Sequence, residues 1–481
     1  MRLICLLALM LLAVPNTLAE GLPELGDAAQ VSLSPLQERR LGESIMREAR
    51  ADPSYYDDAE ATEYINSLGD RLVTRGTDTR QDFDFFLMRD KEVNAFALPG
   101  GHVGVNTGLI LTAQNESELA AVVAHEIGHV VQHHMARMMA QQSRSQITSL
   151  AALAVAILAA RANSDVAQAA AAFGQAGVVQ GQLNFTRANE QEADRVGLQI
   201  LERSGFDPRG MVTFFERLQR TVRFSEGNAP SYLRTHPLTY ERIADIQNRV
   251  ESLPYRQVPD SLEFQLIRAK IKASFESPRE ATEFFEASLN ERKFLSEAAS
   301  RYGLVLSLIR ARNYVRAEKE FAVLRKLGRA SPMIDSLGCQ LRNSAGQTEA
   351  AFECYREALK AHPEHRALIY DYADALLQNR QPQTALQLVE NRMQYGTDDY
   401  RLYLLQARSY AMLNKRLAQH RAQGEAYARM GNVSAAVEQL QLAVKSGDGD
   451  FYQLSSAEAR LRELRRLDSE MRKEQGKPQN R

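Results

Sequence analysis

Small residues recur through the second half of the chain at Ala269, Gly303, Cys339, Ala373 and Ala407, with gaps of 34, 36, 34 and 34. A second small residue follows 12 positions later at Ala281, Ala351 and Ala385. Gly424 and Ala436 repeat that pair, with Tyr427 and Leu440 at the large-residue positions. A fixed period of this length means one supersecondary unit repeated along the chain. With no strand signals after about Asp260 and an Ala- and Leu-rich helical pattern, the unit is a helical hairpin. The paired small residues let its two helices approach closely. One hairpin cannot bury its own apolar face, so the units must stack into a solenoid.

This is the tetratricopeptide pattern. Four to six imperfect repeats are expected, because the register is irregular: Gly424 follows Ala407 by only 17 residues. An arbitrary helical bundle is the competing reading. Arrays of this kind form concave surfaces for protein partners.

The 481 residues suffice for two or more domains, and a formal net charge of −1 supplies no basic excess to favour nucleic acid. The N-terminus places Arg2 before an apolar run from Leu3 to Val14, then Thr17-Leu18-Ala19. This reads as a signal peptide cleaved after Ala19, since the apolar run is short for a membrane anchor. Cleavage leaves Cys339 and Cys354. A secreted or periplasmic compartment would permit a disulfide, and two buried free thiols are equally compatible with the sequence.

From Leu36 to Leu253 helical and strand signals mix. Helices are expected from Leu36 to Arg50 and from Asp58 to Arg75. Strands are expected at Phe83–Met88, Val93–Ala97 and His102–Asn106, with Gly100-Gly101 turning the chain between the last two. Asn115, followed three residues later by Glu118, opens a further helix.

That helix carries HEIGH, His125 to His129. Leu119, Val122, Val123, Ile127, Val130 and Val131 recur at helical spacing, so it is largely buried. His125 and His129 stand one turn apart on one face, where two imidazoles can hold one zinc ion. Glu126 projects beside them, within reach of a water on the metal, and Gly128 leaves room between the ligands. His133 lies about 12 Å from His125 along the axis, too far to share the ion. His133 and His134 are therefore read as surface or gate residues. The HExxHxxGxxH arrangement is excluded, because Gln132 replaces its glycine and Met135 its third histidine.

A third ligand must come from elsewhere, and Asn189–Gly197 supplies the best candidate. Glu190, Asp194, Gly197 and Leu201 share one helical face, and Glu192 points roughly the other way. A carboxylate on a packed face must be paired or bind metal. Glu190 is assigned as the third ligand. Asp194 can accept the free N–H of a ligating histidine, and Gly197 allows close helix packing.

HEIGH with the downstream Glu190–Asp194 segment resembles the M48 metallopeptidases, gluzincins with HExxH and a later ExxxD. Asn94–Ile110, and Thr235-His236-Pro237 leading into Glu241-Arg242-Ile243, also resemble elements of that family. The similarity covers roughly residues 36 to 253. It implies an α+β gluzincin-type domain, mainly helical with a small sheet, followed by an all-α tetratricopeptide-repeat solenoid. It also implies one Zn2+ per chain on His125, His129 and Glu190. Glu126 would move the proton of an attacking water. With a signal peptide and repeats, the resemblance implies periplasmic proteolysis and chaperone-like quality control of unfolded or misassembled outer-membrane proteins, near their β-barrel assembly machinery. A scaffold with a latent zinc site is the alternative, and another zinc hydrolase is not excluded by the ligands.

Pro237 keeps His236 out of the helical region, so His236 is expected on a loop. It can stabilise an oxyanion or close the metal site as a fourth ligand. The working expectation is both, in open and latent states. Asn94 to Val105 is expected to offer an edge strand, with Asn94, Ala95 and Phe96 as candidate substrate-binding residues. Met135 to Gln182, with Ala-rich runs at Leu150–Ala160 and Val166–Gly177, reads as a helical lid beside the site or a buried hairpin, with peripheral membrane contact open to it. The expected boundaries are a signal peptide at 1–19, a metallopeptidase domain at 20–255, repeats at 256–465 and a structureless tail at 466–481.

Overall fold

The computed structural model describes residues 34–79, 81–141, 187–223, 230–328, 330–394 and 397–476. The signal peptide and the Ala-rich runs after Gln141 lie outside the described residues. Among the described residues no helix is long and apolar enough to cross a membrane.

Helix α1 (Pro35–Ala51) opens on a capping box between Ser34 and Gln37, and α2 (Ala59–Gly76) is capped by Asp58. A three-stranded sheet follows: β1 (Asp84–Met88), β2 (Ala95–Leu98) and β3 (His102–Asn106). Its order is β1-β3-β2, with β1 parallel and β2 antiparallel to β3. The tight β2–β3 turn needs Gly100 and Gly101 at φ 80° and 87°. Because β3 is central, only the β2 half of the Asn94–Val105 segment is an edge.

Helices α3 (Thr107–Thr112), α4 (Glu116–Val131) and α5 (His134–Gln141) come next. Then follow α6 (Arg187–Arg203), α7 (Arg209–Arg223), α8 (Ser231–Thr235) and α9 (Tyr240–Glu251). Asn115 caps α4 as expected, accepting from the Glu118 N–H at 3.0 Å. The Glu118 carboxylate does not close the capping box. It accepts from the Gln114 N–H and from Thr213 and Arg217, which ties α4 to α7.

The repeats begin at α10 (Leu262–Phe275) and continue as α11 (Pro278–Asn290), α12 (Glu297–Arg310), α13 (Tyr314–Lys326), α14 (Pro332–Ser344) and α15 (Thr348–Ala361). They end with α16 (Arg366–Gln378), α17 (Pro382–Met393), α18 (Tyr400–Met412), α19 (Arg416–Arg429), α20 (Val433–Lys445) and α21 (Phe451–Gly476). The small residues sit where helices meet. A Cβ on Gly303 would stand 2.2 Å from the Phe285 ring of the preceding helix. Ala407 and Gly424 lie on α18 and α19, so the short gap of 17 is one helix rather than one hairpin. Cys339 and Cys354 are joined in a disulfide that links α14 to α15.

The expected fold class is the one found. The expectation of a structureless tail from Arg466 is corrected, because α21 continues to Gly476. Leu461 and Leu464 are buried along it, Met471 packs beside them, and Arg472 pairs with Asp468 one turn away.

The two halves share a core. One hydrophobic cluster runs from Ala61 on α2 through Val122 and Ile127 on α4 to Phe264, Tyr302 and Leu337 in the repeats. The α4 helix is thus held from both sides, which makes it a rigid carrier for its histidines.

Candidate metal centre

Helix α4 is buried from Glu116 to Val130, and α6 lies directly against it. Two glycines permit that approach. A Cβ on Gly128 would stand 2.9 Å from the Ala193 carbonyl oxygen, and one on Gly197 would stand 3.1 Å from the His125 Cα. The role of Gly128 therefore differs from expectation: the space it leaves is filled by the α6 backbone. Leu198 and Leu201 continue the packed face of α6, and this sets Glu190 and Asp194 against the histidines.

His125, His129, Glu190 and His236 each turn one ligand atom to a common point, and the four atoms lie within 4.8 Å of one another. All four residues are at most 2% exposed. The Nε2 atoms of His125 and His129 are 3.0 Å apart. Glu190 reaches Nε2 of both histidines at 3.5 Å. His236 follows the short α8 and places Nδ1 3.0 Å from Glu190 and 3.4 Å from His125 Nε2. These residues fit a divalent metal ion: three imidazoles and a carboxylate, buried together, offer the nitrogen and oxygen donors such ions take.

Glu126 is fully buried, and neither of its carboxylate oxygens has a hydrogen-bond partner. His236 Nε2 lies 3.5 Å from its Oε1. An orphaned buried carboxylate is costly unless chemistry needs it there.

Asp194 stands 2.9 Å from His125 Nδ1, in contact though not aligned as a hydrogen bond. Its main partner is Arg242 on α9, whose Nε and Nη2 grip it at 2.7 and 2.8 Å. Arg242 also reaches Glu190 at 2.8 Å and donates to the Pro237 carbonyl at 2.9 Å, so one guanidinium ties both carboxylates to the His236 loop. Burial would raise Asp194, but the hydrogen bonds from Arg242 and the close His125 ring outweigh it and lower its pKa. Glu190 is likewise held well below the usual range, with burial overcome by His236, which hydrogen-bonds it, and by the close His125 and His129 rings. Burial opposes charge on His125, yet its pairing with Asp194 and Glu190 raises it to about 9. Burial and the neighbouring His125 drive His129 well down.

Three residues of this neighbourhood were missed or misread from sequence. Arg242 lies on the buried side of α9 beside Ile243 and Ile246. The usable signal was a charged residue flanking an apolar stripe. Tyr232 stacks on the His236 ring at 4.8 Å and keeps its buried hydroxyl without a hydrogen-bond partner. His134 was expected at the surface or as a gate; it is fully buried, 2.9 Å from His129. The cause is a left-handed His133, φ 51°, which no helical periodicity reveals.

The candidate substrate residues form the start of the edge strand. Asn94 and Ala95 are buried, so contact with a substrate at those two runs through backbone, while Phe96 is half-buried. The Val93 carbonyl accepts from the Tyr232 N–H at 3.2 Å, which joins this strand end to the helix before His236.

A histidine pair on a buried helix, a carboxylate from the helix packed on it and a buried acid without hydrogen bonds beside them fit a metal-dependent hydrolase. Comparison with known proteins gives the same class. The profile of peptidase family M48 matches residues 59–250, and a tetratricopeptide repeat profile matches residues 343–409. The beta-barrel assembly-enhancing protease of Escherichia coli K12 is 34% identical over 452 residues, 93% of this chain and 92% of that protein. Its Yersinia pestis namesake is 31% identical over 94% of this chain and 93% of its own length. The mitochondrial metalloendopeptidase OMA1 of Schizosaccharomyces pombe is 30% identical over 46% of this chain and 62% of its own. The chain belongs to peptidase family M48, and it is a metallopeptidase carrying tetratricopeptide repeats.

Proposed function

We propose that this chain is a periplasmic zinc endopeptidase and chaperone-like factor that acts on misfolded or stalled β-barrel proteins during outer-membrane assembly. The reading draws support from the relatives named for β-barrel assembly and from the N-terminal sequence that resembles a signal peptide. Residues 20–255 would carry the peptidase and 256–465 the repeats that dock the assembly machinery. The observation that carries the enzymatic part is the orphaned Glu126 carboxylate beside the four converging ligands.

Zinc, when bound by His125, His129 and Glu190, would lower the pKa of a water and polarise the scissile carbonyl. Glu126 takes the proton from the attacking water onto a carboxylate oxygen and delivers a proton to the leaving amine nitrogen. Asp194, fixed by Arg242, orients the His125 ring. An extended substrate adds to the free edge of β2 by backbone pairing at Asn94, Ala95 and Phe96.

His236 supports a latent state of the same enzyme. Its contact with Glu190 and its burial support the reading of a fourth ligand that closes the site, and release would free it to stabilise the oxyanion. The test is cleavage of an unfolded outer-membrane barrel protein by the wild type, Glu126→Gln and His236→Ala, with zinc content measured for each. Zinc in all three, cleavage by the wild type and none by Glu126→Gln support the peptidase. No cleavage by wild type or His236→Ala, with zinc present, leaves a scaffold. If His236→Ala changes neither cleavage nor zinc affinity, the switch is wrong.

A further inference from the structure

Helix α4 ends at Val131 and α5 starts at His134. Between them His133 takes φ 51°, a left-handed turn that folds the chain back under the last turn of α4. A residue five positions beyond His129 thereby reaches it. His134 Nδ1 lies 2.9 Å from His129 Nδ1, and His134 Nε2 lies 3.0 Å from Glu192 Oε2. Arg137, one turn further along α5, holds the same Glu192 oxygen at 3.0 Å and reaches Gln132 at 3.2 Å.

The direction of this chain follows from its end. The Glu192 carboxylate can only accept, so His134 donates from Nε2. A neutral imidazole then presents a lone pair at Nδ1, and His129 must donate its Nδ1–H to it. That leaves the His129 lone pair on Nε2, which faces His125 Nε2 and Glu190 at the convergence point. The other tautomer of His129 would aim a proton at the ion.

We infer that His134 and Glu192 are positioning residues for the metal site: they lock His129 in the tautomer and ring orientation that offer Nε2 to the metal, with Arg137 anchoring Glu192 at the start of α5. The inference rests on the metallopeptidase reading for the identity of the site. It explains why a fully buried histidine lies behind a ligand, and why Glu192, on the far flank of α6 from Glu190, is drawn into the site. His125 has a carboxylate from α6 directly behind it, whereas His129 reaches one through an intervening imidazole.

The experiment uses the full mature chain stripped of metal with a chelator, then titrated with zinc against a chromophoric competitor. Unfolding of each metal-free variant is followed in parallel. His134→Phe keeps a ring and removes both nitrogens. The expected result is roughly a 10- to 100-fold loss of zinc affinity, the usual effect of removing a ligand's outer partner. His134→Asn sets an amide oxygen near the position of Nδ1 and should restore most of that loss. Glu192→Ala, at a carboxylate whose side chain is 39% exposed, should weaken zinc to a lesser extent without disturbing the fold. A folded His134→Phe that binds zinc as tightly as the wild type overturns the inference, as does equal loss in the Phe and Asn variants. Should His134→Phe fail to fold, unchanged affinity in Glu192→Ala overturns it. Zinc binding with no cleavage by either the wild type or His236→Ala would sink the peptidase reading and leave this inference standing.

Discussion

At the metal centre the buried acids Glu190 and Asp194 are held below their ordinary pKa range; at the junction of α2 with the repeats the buried Glu60 and the half-buried Asp371 are pushed above it. Burial acts the same way on all four. The difference is the supply of positive partners. Glu190 and Asp194 share Arg242, His125, His129 and His236. At the junction Lys270 serves both Asp58 and Glu60, at 2.7 Å from each; burial would raise Asp58, but Lys270, with Arg401 behind it, holds it low, while Glu60 stays raised and one of its oxygens has no hydrogen-bond partner. The site is built to keep carboxylates ionised where a cation must bind. The junction is built to pin α2 to α10, and Tyr302 on α12 extends the pin by reaching Glu60 at 3.5 Å.

The contrast breaks first on catalysis. Glu126→Gln should lower turnover by about 100- to 10,000-fold, the usual worth of a general base, with metal content unchanged. Lys270→Met should leave turnover per folded molecule at the wild-type level. Loss of turnover in folded Lys270→Met would show that the junction controls the site.

Stability sharpens it next. Arg242→Met leaves Glu190 and Asp194 buried without their guanidinium, and urea unfolding of the metal-free chain should show a loss of about 3–5 kcal/mol. Lys270→Met should cost toward the lower end of that range, since burial already pushes Glu60 toward the neutral form. Zinc should offset part of the loss at Arg242, because an ion replaces the missing positive charge. It should offset none at Lys270. Equal rescue at both would erase the distinction.

Within the repeats, stability rests on small residues and one covalent tie. The disulfide closes a loop with a sequence separation of 15, worth about 3 kcal/mol against the double variant Cys339→Ala/Cys354→Ala. Thermal unfolding under oxidising and reducing conditions reads it directly. No change on reduction would show that the packing of α14 on α15 holds without the bond.

How much of this was legible in the sequence follows from the range of each interaction. Local patterns gave the helices and strands: Asn115 caps where expected, the helix expected from Asp58 starts one residue later with Asp58 as its cap, and β3 spans the expected His102–Asn106. The i, i+4 spacing gave His125 and His129, and the shared face of α6 gave Glu190 and Asp194. Arg242, His134 and Lys270 were not legible as site or junction residues. Each acts on a residue brought near by a turn or by another helix, and helical periodicity carries no mark of such a partner. The Cys339–Cys354 bond stayed open because spacing alone fits a paired and an unpaired state equally. The tail was read from its charge, yet the same charges pair at helical spacing along α21.

The smallest effect isolates the junction by pH. Asp371 on α16 accepts from Ser336 at 2.8 Å and Gln340 at 2.6 Å, and burial raises its pKa from 3.8 to about 6 despite those bonds, with Glu60 adding to the rise. Between those two values the folded chain binds more protons at this group than the unfolded chain. Its contribution to stability is therefore full below about pH 4 and lost as pH rises through 6. The size is at most about 3 kcal/mol, from a shift of roughly two units. Asp371→Asn keeps the shape and cannot ionise. Across pH 4 to 6 the wild type should lose stability relative to Asp371→Asn, and the two curves should run parallel above pH 7. Glu190 and Asp194, lowered rather than raised, shape the opposite limb: their contribution is present above the unfolded carboxylate range and lost as acid protonates them. A wild-type curve that parallels Asp371→Asn throughout would mean that the Ser336 and Gln340 bonds keep Asp371 ionised, and that the two clusters differ less than their partners imply.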